Sequence, residues 1–321
     1  MEKKKTLRVG VVGCGNMGRN HVRVLSTMQE FELVGCYDTD AEVARKIAGQ
    51  YEVKAFDTME HLFSEVDVVH IVVPSFLHKE LAVQAAQAGC HVLVEKPIAL
   101  TLSDAQVIID ACKKAGVRLC VGHVERFNPA ITTLKKVLEP EHVIAAEFHR
   151  LSPFFGRVSD TSVVQDLMIH DIDIMNAFAS SPIKRIVAQG RKLRTDKLDY
   201  CQALVTFEDG TNVGLTASRV TEAKIRNARV TCSHAYVSVD YVSRSLAISR
   251  KTNFTLDVGY EAEYRQENIV EKVVVPNIEP LRAEFSHFAH CINTGEAVAT
   301  SGEMGKKALE ICEEIEKACE F

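Results

Sequence analysis

Three glycines in six residues, Gly13, Gly15 and Gly18, close a short β-branched run that begins at Leu7. In a strand, turn and helix each glycine has a separate role, giving a tight turn, room for a pyrophosphate, and close packing of helix on strand. The pyrophosphate would rest on the amides of Asn16, Met17 and Gly18, where the helix dipole favours negative charge. Asp38 ends the next predicted strand, at the spacing where a carboxylate accepts both adenosine ribose hydroxyls and repels a 2′-phosphate. The pattern reads as an NAD site rather than an NADP site. The alternative is that Asp38 only caps the turn before a helix at Asp40.

From Leu7 to Val121 short apolar runs alternate with longer amphipathic stretches, which is the rhythm of a parallel sheet with crossover helices. Predicted strands cover 7–13, 32–38, 53–56, 66–73, 91–95 and 117–121. Ser103 and Gln106 read as a capping box opening a helix that stops at Gly116. Asn128-Pro129 reads as an N-cap and first-turn proline for a helix reaching Leu138.

After Glu141 the pattern changes to strands, several with period-two alternation: 142–150, 184–193, 200–207, 211–220, 228–241, 245–249 and 267–275. Asp209-Gly210 marks a hairpin turn between two of them. Helices are predicted over 162–178, 279–293 and 302–318. The fold class is α/β: an N-terminal Rossmann domain with a parallel sheet, residues 1–122, and then an α+β domain with a largely antiparallel open sheet, residues 123–321.

A formal charge of -5, with 38 Lys plus Arg against 43 Asp plus Glu, argues against a nucleic-acid partner. The ten cysteines show no zinc-ligand spacing and fall mostly in apolar runs, so they read as buried thiols of a cytoplasmic protein. Lys3 to Lys5 read as a solvated tail, and the apolar stretch behind them is too short for a signal peptide or a membrane span.

Three further groups sit where chemistry is expected. Pro74 and Ser75 end the fourth strand at the carboxyl edge of the sheet, where open α/β sheets bind ligands. His78 follows, either within reach of the cofactor or as a helix cap. Glu95, Lys96 and Pro97 end the next strand. A Lys in a partly desolvated cleft can hold a substrate hydroxyl or stabilise an alkoxide, and the rival reading is a surface salt bridge. Asp166 and His170 lie four apart on one predicted helix, with Asp173 a turn further. That suits an imidazole general base oriented by a carboxylate better than a metal site, and no metal is expected.

Together these motifs resemble the glucose-fructose oxidoreductase, inositol dehydrogenase and rhizopine catabolism family, Gfo/Idh/MocA. The likeness rests on Gly13 to Gly18 with His21 behind it, Pro74 to His78, VEKP at Val94 to Pro97 and DLMIHDID at Asp166 to Asp173. It implies an NAD-dependent sugar dehydrogenase, with nicotinamide between Lys96 and the helix of Asp166 and His170. It also implies an open sheet that builds dimers or tetramers. Some members carry Tyr where this chain has His170, and others in the wider fold are NAD-retaining glycosidases. A retained-cofactor glycosidase or lyase, or a non-catalytic NAD sensor, is therefore the alternative of another class.

GHVERFNPAI, Gly122 to Ile131, resembles members acting on nucleotide-linked amino sugars. The implied reaction is oxidation of the 3-hydroxyl of UDP-N-acetylglucosamine, with its 2-acetamido-glucuronate analogue or an inositol as alternatives. A downstream aminotransferase is then the expected pathway partner. Arg126, Asn128 and Arg157, with Lys96 and His170, are the candidate substrate ligands, because they can hydrogen-bond an acetamido group, a uronate or a diphosphate. Arg126 reads equally as a structural clamp between the two domains.

Overall fold

The computed structural model describes residues 5–154, 161–257 and 263–320. The elements of the first half are β1 (Leu7–Val12), α1 (Asn16–Leu25), β2 (Phe31–Tyr37), α2 (Ala41–Gln50), β3 (Lys54–Ala55), α3 (Met59–Glu65), β4 (Val68–Ile71), α4 (His78–Gln87), β5 (His91–Glu95), α5 (Leu102–Ala115) and β6 (Leu119–Gly122). The six strands form one parallel sheet in the order β3-β2-β1-β4-β5-β6, the order of a dinucleotide-binding sheet. β4 and β6 are buried at every position because helices cover both faces. Helix α5 starts at Thr101, whose side chain accepts the Asp104 amide, so the cap lies two residues before the predicted Ser103. It ends, as expected, at left-handed Gly116 with φ 69°.

The second half contains α6 (Pro129–Leu138), β7 (Val143–Leu151), α7 (Ile169–Phe178), β8 (Ile183–Arg191), β9 (Tyr200–Phe207), β10 (Asn212–Ser218), β11 (Ile225–Cys232), β12 (Tyr236–Asp240), β13 (Ser245–Asp257), β14 (Glu263–Val273), α8 (Pro280–Thr294), α9 (Gly302–Ala318) and β15 (Cys319–Glu320). A nine-stranded sheet runs β14-β13-β12-β11-β7-β10-β9-β8-β15. It is antiparallel except where β10 meets β7 and β15 meets β8. On β9, Cys201, Ala203, Val205 and Phe207 are buried while Gln202 and Leu204 are exposed, the period-two signature of a sheet covered on one face. The predicted strand 228–241 is two strands, because Cys232 to Ala235 form a tight turn closed by the Cys232 amide on the Ala235 carbonyl.

The sequence pattern divides the chain once, after residue 122. The structure divides it into Met1–Phe127 with Glu279–Glu310, and Asn128–Ile278 with Ile311–Phe321. Packing is the reason. Leu281, Phe285, Phe288 and Ala289 of α8 join Leu7, Val22, Leu25 and Phe31 in one core of the first unit, an association that no local pattern encodes. All ten cysteines are free and buried. Among the described residues no helix is long and apolar enough to cross a membrane.

Candidate active site

In the first unit the glycine turn follows β1 and the turn at Pro74 follows β4, its neighbour in the sheet, so both lie at the carboxyl edge where the strand order reverses. Gly13 has φ 94°, and a Cβ there would stand 2.3 Å from the Val72 carbonyl oxygen. A Cβ on Gly18 would stand 1.9 Å from the Gly13 oxygen. Gly15 differs: nothing lies within 4 Å of its Cβ position. It is also the N-cap of α1 and gives the helix no side-chain cap, so this end of the helix is shaped for an anion brought from outside.

Asp38 is half-buried beside this turn. Its Oδ2 accepts the Cys14 amide at 2.7 Å and its Oδ1 accepts the Asp40 amide at 2.9 Å. The cap of α2 is Asp40, which accepts from Glu42 and Val43, so Asp38 does not cap the helix.

Pro74 is exposed and Ser75 half-buried in a short 3-10 turn. His78 corrects the expectation of a cofactor ligand. It is 1% exposed, with Nδ1 2.9 Å from the Pro97 carbonyl oxygen and Nε2 3.0 Å from that of Val73. Burial pushes its pKa down against the pull of those carbonyls. The neutral ring has one N–H and donates it to one of these two carbonyls, so His78 ties the chain after β5 to the chain after β4 from within the core.

Glu95 is buried and Lys96 half-buried. Glu95 Oε1 lies 3.0 Å from His21 Nε2, and Oε2 accepts the Lys96 amide at 3.2 Å. Burial raises the Glu95 carboxyl, but its contacts with His21 and Lys96 outweigh that and leave it below its ordinary value. Glu95 therefore supports Lys96 from beneath and is not aimed outward as a ligand.

Arg126 Nη1 donates to the Ala299 carbonyl at 2.9 Å, a contact inside the first unit. In the second unit Asn128 is 5% exposed and its Oδ1 accepts the Ala130 amide. The predicted N-cap is there, and that oxygen is engaged by it. Arg157 lies outside the described residues.

Asp166 belongs to a π-helical turn, Val164–Met168, that runs directly into α7. Wide turns of this kind recur at functional sites. Asp166 and His170 are half-buried, whereas Ile169 and residues 171–175 are buried. The pair thus occupies the accessible stripe of a helix otherwise packed away, and Asp173 is not on it.

Two buried ion pairs hold this helix, and the sequence pattern announces neither directly. Arg150 donates to Asp171 through Nε at 2.9 Å and Nη2 at 2.8 Å, each residue 1% exposed. A signal exists for this pair: Arg150 follows Ala146 and Phe148 at an inward position of β7, which demands an acid. Asp199 accepts the amides of Leu193, Arg194 and Thr195 and the Nε of Arg219 at 2.7 Å. Arg219 also donates to the Thr161 carbonyl, and the Val163 amide donates to that of Leu198, so this cluster anchors the start of the helix. No spacing rule points to it.

A family model described as an oxidoreductase family with an NAD-binding Rossmann fold matches residues 7–123, and the Gfo/Idh/MocA C-terminal domain matches 144–238. The chain is 32% identical over 316 residues to a UDP-N-acetylglucosamine 3-dehydrogenase of Acidithiobacillus ferrooxidans, covering 98% of this chain and 97% of that one. The solved structure of that enzyme matches with a TM-score of 0.89 at 31% identity over 98% and 97% of the two chains. A D-apiose dehydrogenase of Paraburkholderia graminis is 27% identical over 96% of this chain and 86% of its own. A myo-inositol 2-dehydrogenase of Thermotoga maritima is 26% identical over 94% and 93%. The chain belongs to the Gfo/Idh/MocA oxidoreductases, a family with an NAD-binding Rossmann fold, and the turn at Gly13 to Gly18 fits that cofactor.

Proposed function

We propose that this protein oxidises the 3-hydroxyl of UDP-N-acetylglucosamine to the 3-keto nucleotide sugar, using NAD, in the cytoplasm. The observation that carries the reading is the near end-to-end likeness to a dehydrogenase named for that substrate. The accessible Asp166 and His170 and the supported Lys96 supply the groups the reaction needs.

Gly13, Gly15, Asn16, Met17 and Gly18 would hold the pyrophosphate, Asp38 the adenosine ribose, and Pro74 and Ser75 the nicotinamide side. When bound, NAD accepts the hydride that leaves the carbinol carbon. His170, oriented by Asp166, takes the hydroxyl proton, and Lys96 holds the same oxygen and stabilises its developing charge. One C–H and one O–H bond break, and one C=O bond forms. The first unit is the cofactor domain and the second the substrate and oligomerisation domain. Exposed Val187, Leu204 and Tyr236 on the nine-stranded sheet favour a homodimer or homotetramer. The reactive ketone calls for a consuming reaction, and an aminotransferase making a 3-amino sugar fits that chemistry.

The likeness to a myo-inositol 2-dehydrogenase keeps inositol as a second reading. The test is NADH formation, followed by its absorbance, with UDP-N-acetylglucosamine, its 2-acetamido-glucuronate analogue and myo-inositol offered separately, with a carbonyl trap. NADH with the first alone is the expected result. NADH with another substrate alone overturns the assignment of the sugar. No NADH with any of them, while NAD binds, overturns the dehydrogenase reading and points to glycoside cleavage with retained cofactor.

A further inference from the structure

Behind Lys96 lies a buried polar chain that the reaction as written does not use. His21 sits on α1, His70 on β4 and Glu95 at the end of β5, all in the first unit, and both imidazoles are 0% exposed. His70 Nδ1 is 3.1 Å from His21 Nδ1, His21 Nε2 is 3.0 Å from Glu95 Oε1, and Glu95 Oε2 is 3.2 Å from the Lys96 amide nitrogen. Phe285 packs on both rings, with centroids 4.9 Å from His21 and 4.5 Å from His70.

The proton count is tightly restricted. An ionised Glu95 needs a proton on His21 Nε2. The contact between the two Nδ1 atoms needs one proton, and His70, which burial holds well below its ordinary pKa, is neutral. With that proton on His70 Nδ1, every contact has one donor and one acceptor. The atom left over is His70 Nε2, buried and, among the described residues, without a hydrogen-bond partner. Gly122 completes the cage: a Cβ there would fall 3.0 Å from Glu95 Oε1 and 3.1 Å from Oε2, so the carboxylate lies against bare backbone.

We propose that His21 and His70 form a positioning relay that holds the Glu95 carboxylate on the Lys96 backbone, and so sets where the Lys96 ammonium stands. This rests on the role proposed above for Lys96. Buried, unpaired polar atoms are costly, and a core seeking only stability would place apolar side chains at 21 and 70. The relay makes Lys96 rigid and keeps a negative charge next to it, which a catalytic ammonium needs and a surface lysine does not.

The test uses the full chain with His21→Leu, His21→Gln and the near-isosteric Glu95→Gln. Gln at 21 keeps an amide N–H for Glu95, whereas Leu does not. Expected for His21→Leu is a kcat fall of at least about tenfold with the KM for NAD nearly unchanged, and recovery of most of that loss in His21→Gln. A second readout needs no turnover: labelling of Lys96 by an amine-directed reagent, followed by peptide mass mapping. His21→Leu and Glu95→Gln should each label several-fold faster than wild type, the first because Glu95 loses the N–H that fixes it against the Lys96 backbone, the second because the negative charge beside Lys96 is gone. Should His21→Leu fail to fold, Glu95→Gln carries the test. Equal kcat losses in Leu and Gln, or Lys96 labelling unchanged in folded Glu95→Gln, overturn the proposal. If wild type oxidises none of the sugars, the proposed function fails and the labelling still decides the relay.

Discussion

The Asp38 carboxylate accepts the backbone N–H of Cys14 at 2.7 Å, tying the end of β2 to the glycine turn. One carboxylate thus shapes the turn and, on the function proposed above, presents a negative charge to the adenosine ribose. Asp38→Asn keeps an acceptor for Cys14, gives up the one for the Asp40 amide and removes the charge. The preference for NAD over NADP in kcat/KM should fall by at least about tenfold, or ~1.4 kcal/mol, with a loss of stability of about 1 kcal/mol for the lost hydrogen bond. Initial rates with the two cofactors measure it. An unchanged ratio would remove Asp38 from the discrimination.

Gly15 and Gly18 separate cofactor room from packing. A methyl at 15 meets no protein atom, whereas a methyl at 18 collides with the Gly13 carbonyl. Gly15→Ala should melt like wild type and bind NAD at least about tenfold more weakly, because backbone approach to the pyrophosphate is lost. Gly18→Ala should unfold at lower denaturant by about 1–3 kcal/mol. Calorimetric NAD titration beside urea unfolding checks both, and a wild-type NAD affinity in Gly15→Ala contradicts the cradle.

Lys96→Ala leaves the glycine turn and Asp38 intact. Turnover should drop by several orders of magnitude while the dissociation constant for NAD stays within a few-fold. Single-turnover kinetics and NAD binding test this together. Near-normal turnover would refute the role given to Lys96.

Asp199 makes the stability of the second unit depend on acid. Burial raises its carboxyl, but the amides of Arg194 and Leu193, the Arg219 guanidinium and the Thr195 amide together hold it far below the ordinary carboxylate range. A carboxyl whose folded pKa is depressed adds stability that is present above its unfolded pKa, about 3.9, and is lost as pH falls below it. Asp199→Asn should cost roughly 3 kcal/mol at about pH 7, since Arg219 is left buried without its counter-ion. It should also flatten the loss of stability below about pH 4. Denaturation midpoints at neutral pH and at about pH 3.5 give both; a variant as acid-sensitive as wild type would show that other carboxyls dominate.

Much of the first unit was legible because its signals are local. The turn at Gly13 needs φ of 94° and a missing Cβ, and those are properties of glycine itself. Gly116 likewise ends a helix, and Asn128 in the second unit begins one, by their own backbone and side-chain chemistry. For His78 the position at a sheet edge is visible in the sequence, while its two carbonyl neighbours are not.

The sequence alone determined most of the order of strands and helices, the NAD turn and the family to which the chain belongs, since periodicity, glycine geometry and motif spacing act over a few residues. Tertiary structure decided the rest. The return of α8 to the first unit depends on Phe285 and Phe288 finding a core begun at Leu7. Glu95 meets His21 across 74 residues, Asp171 meets Arg150 across 21, and Asp199 meets Arg219 across 20. Each charged or polar group tolerates burial only with its partner in place, and only the folded chain brings the two together.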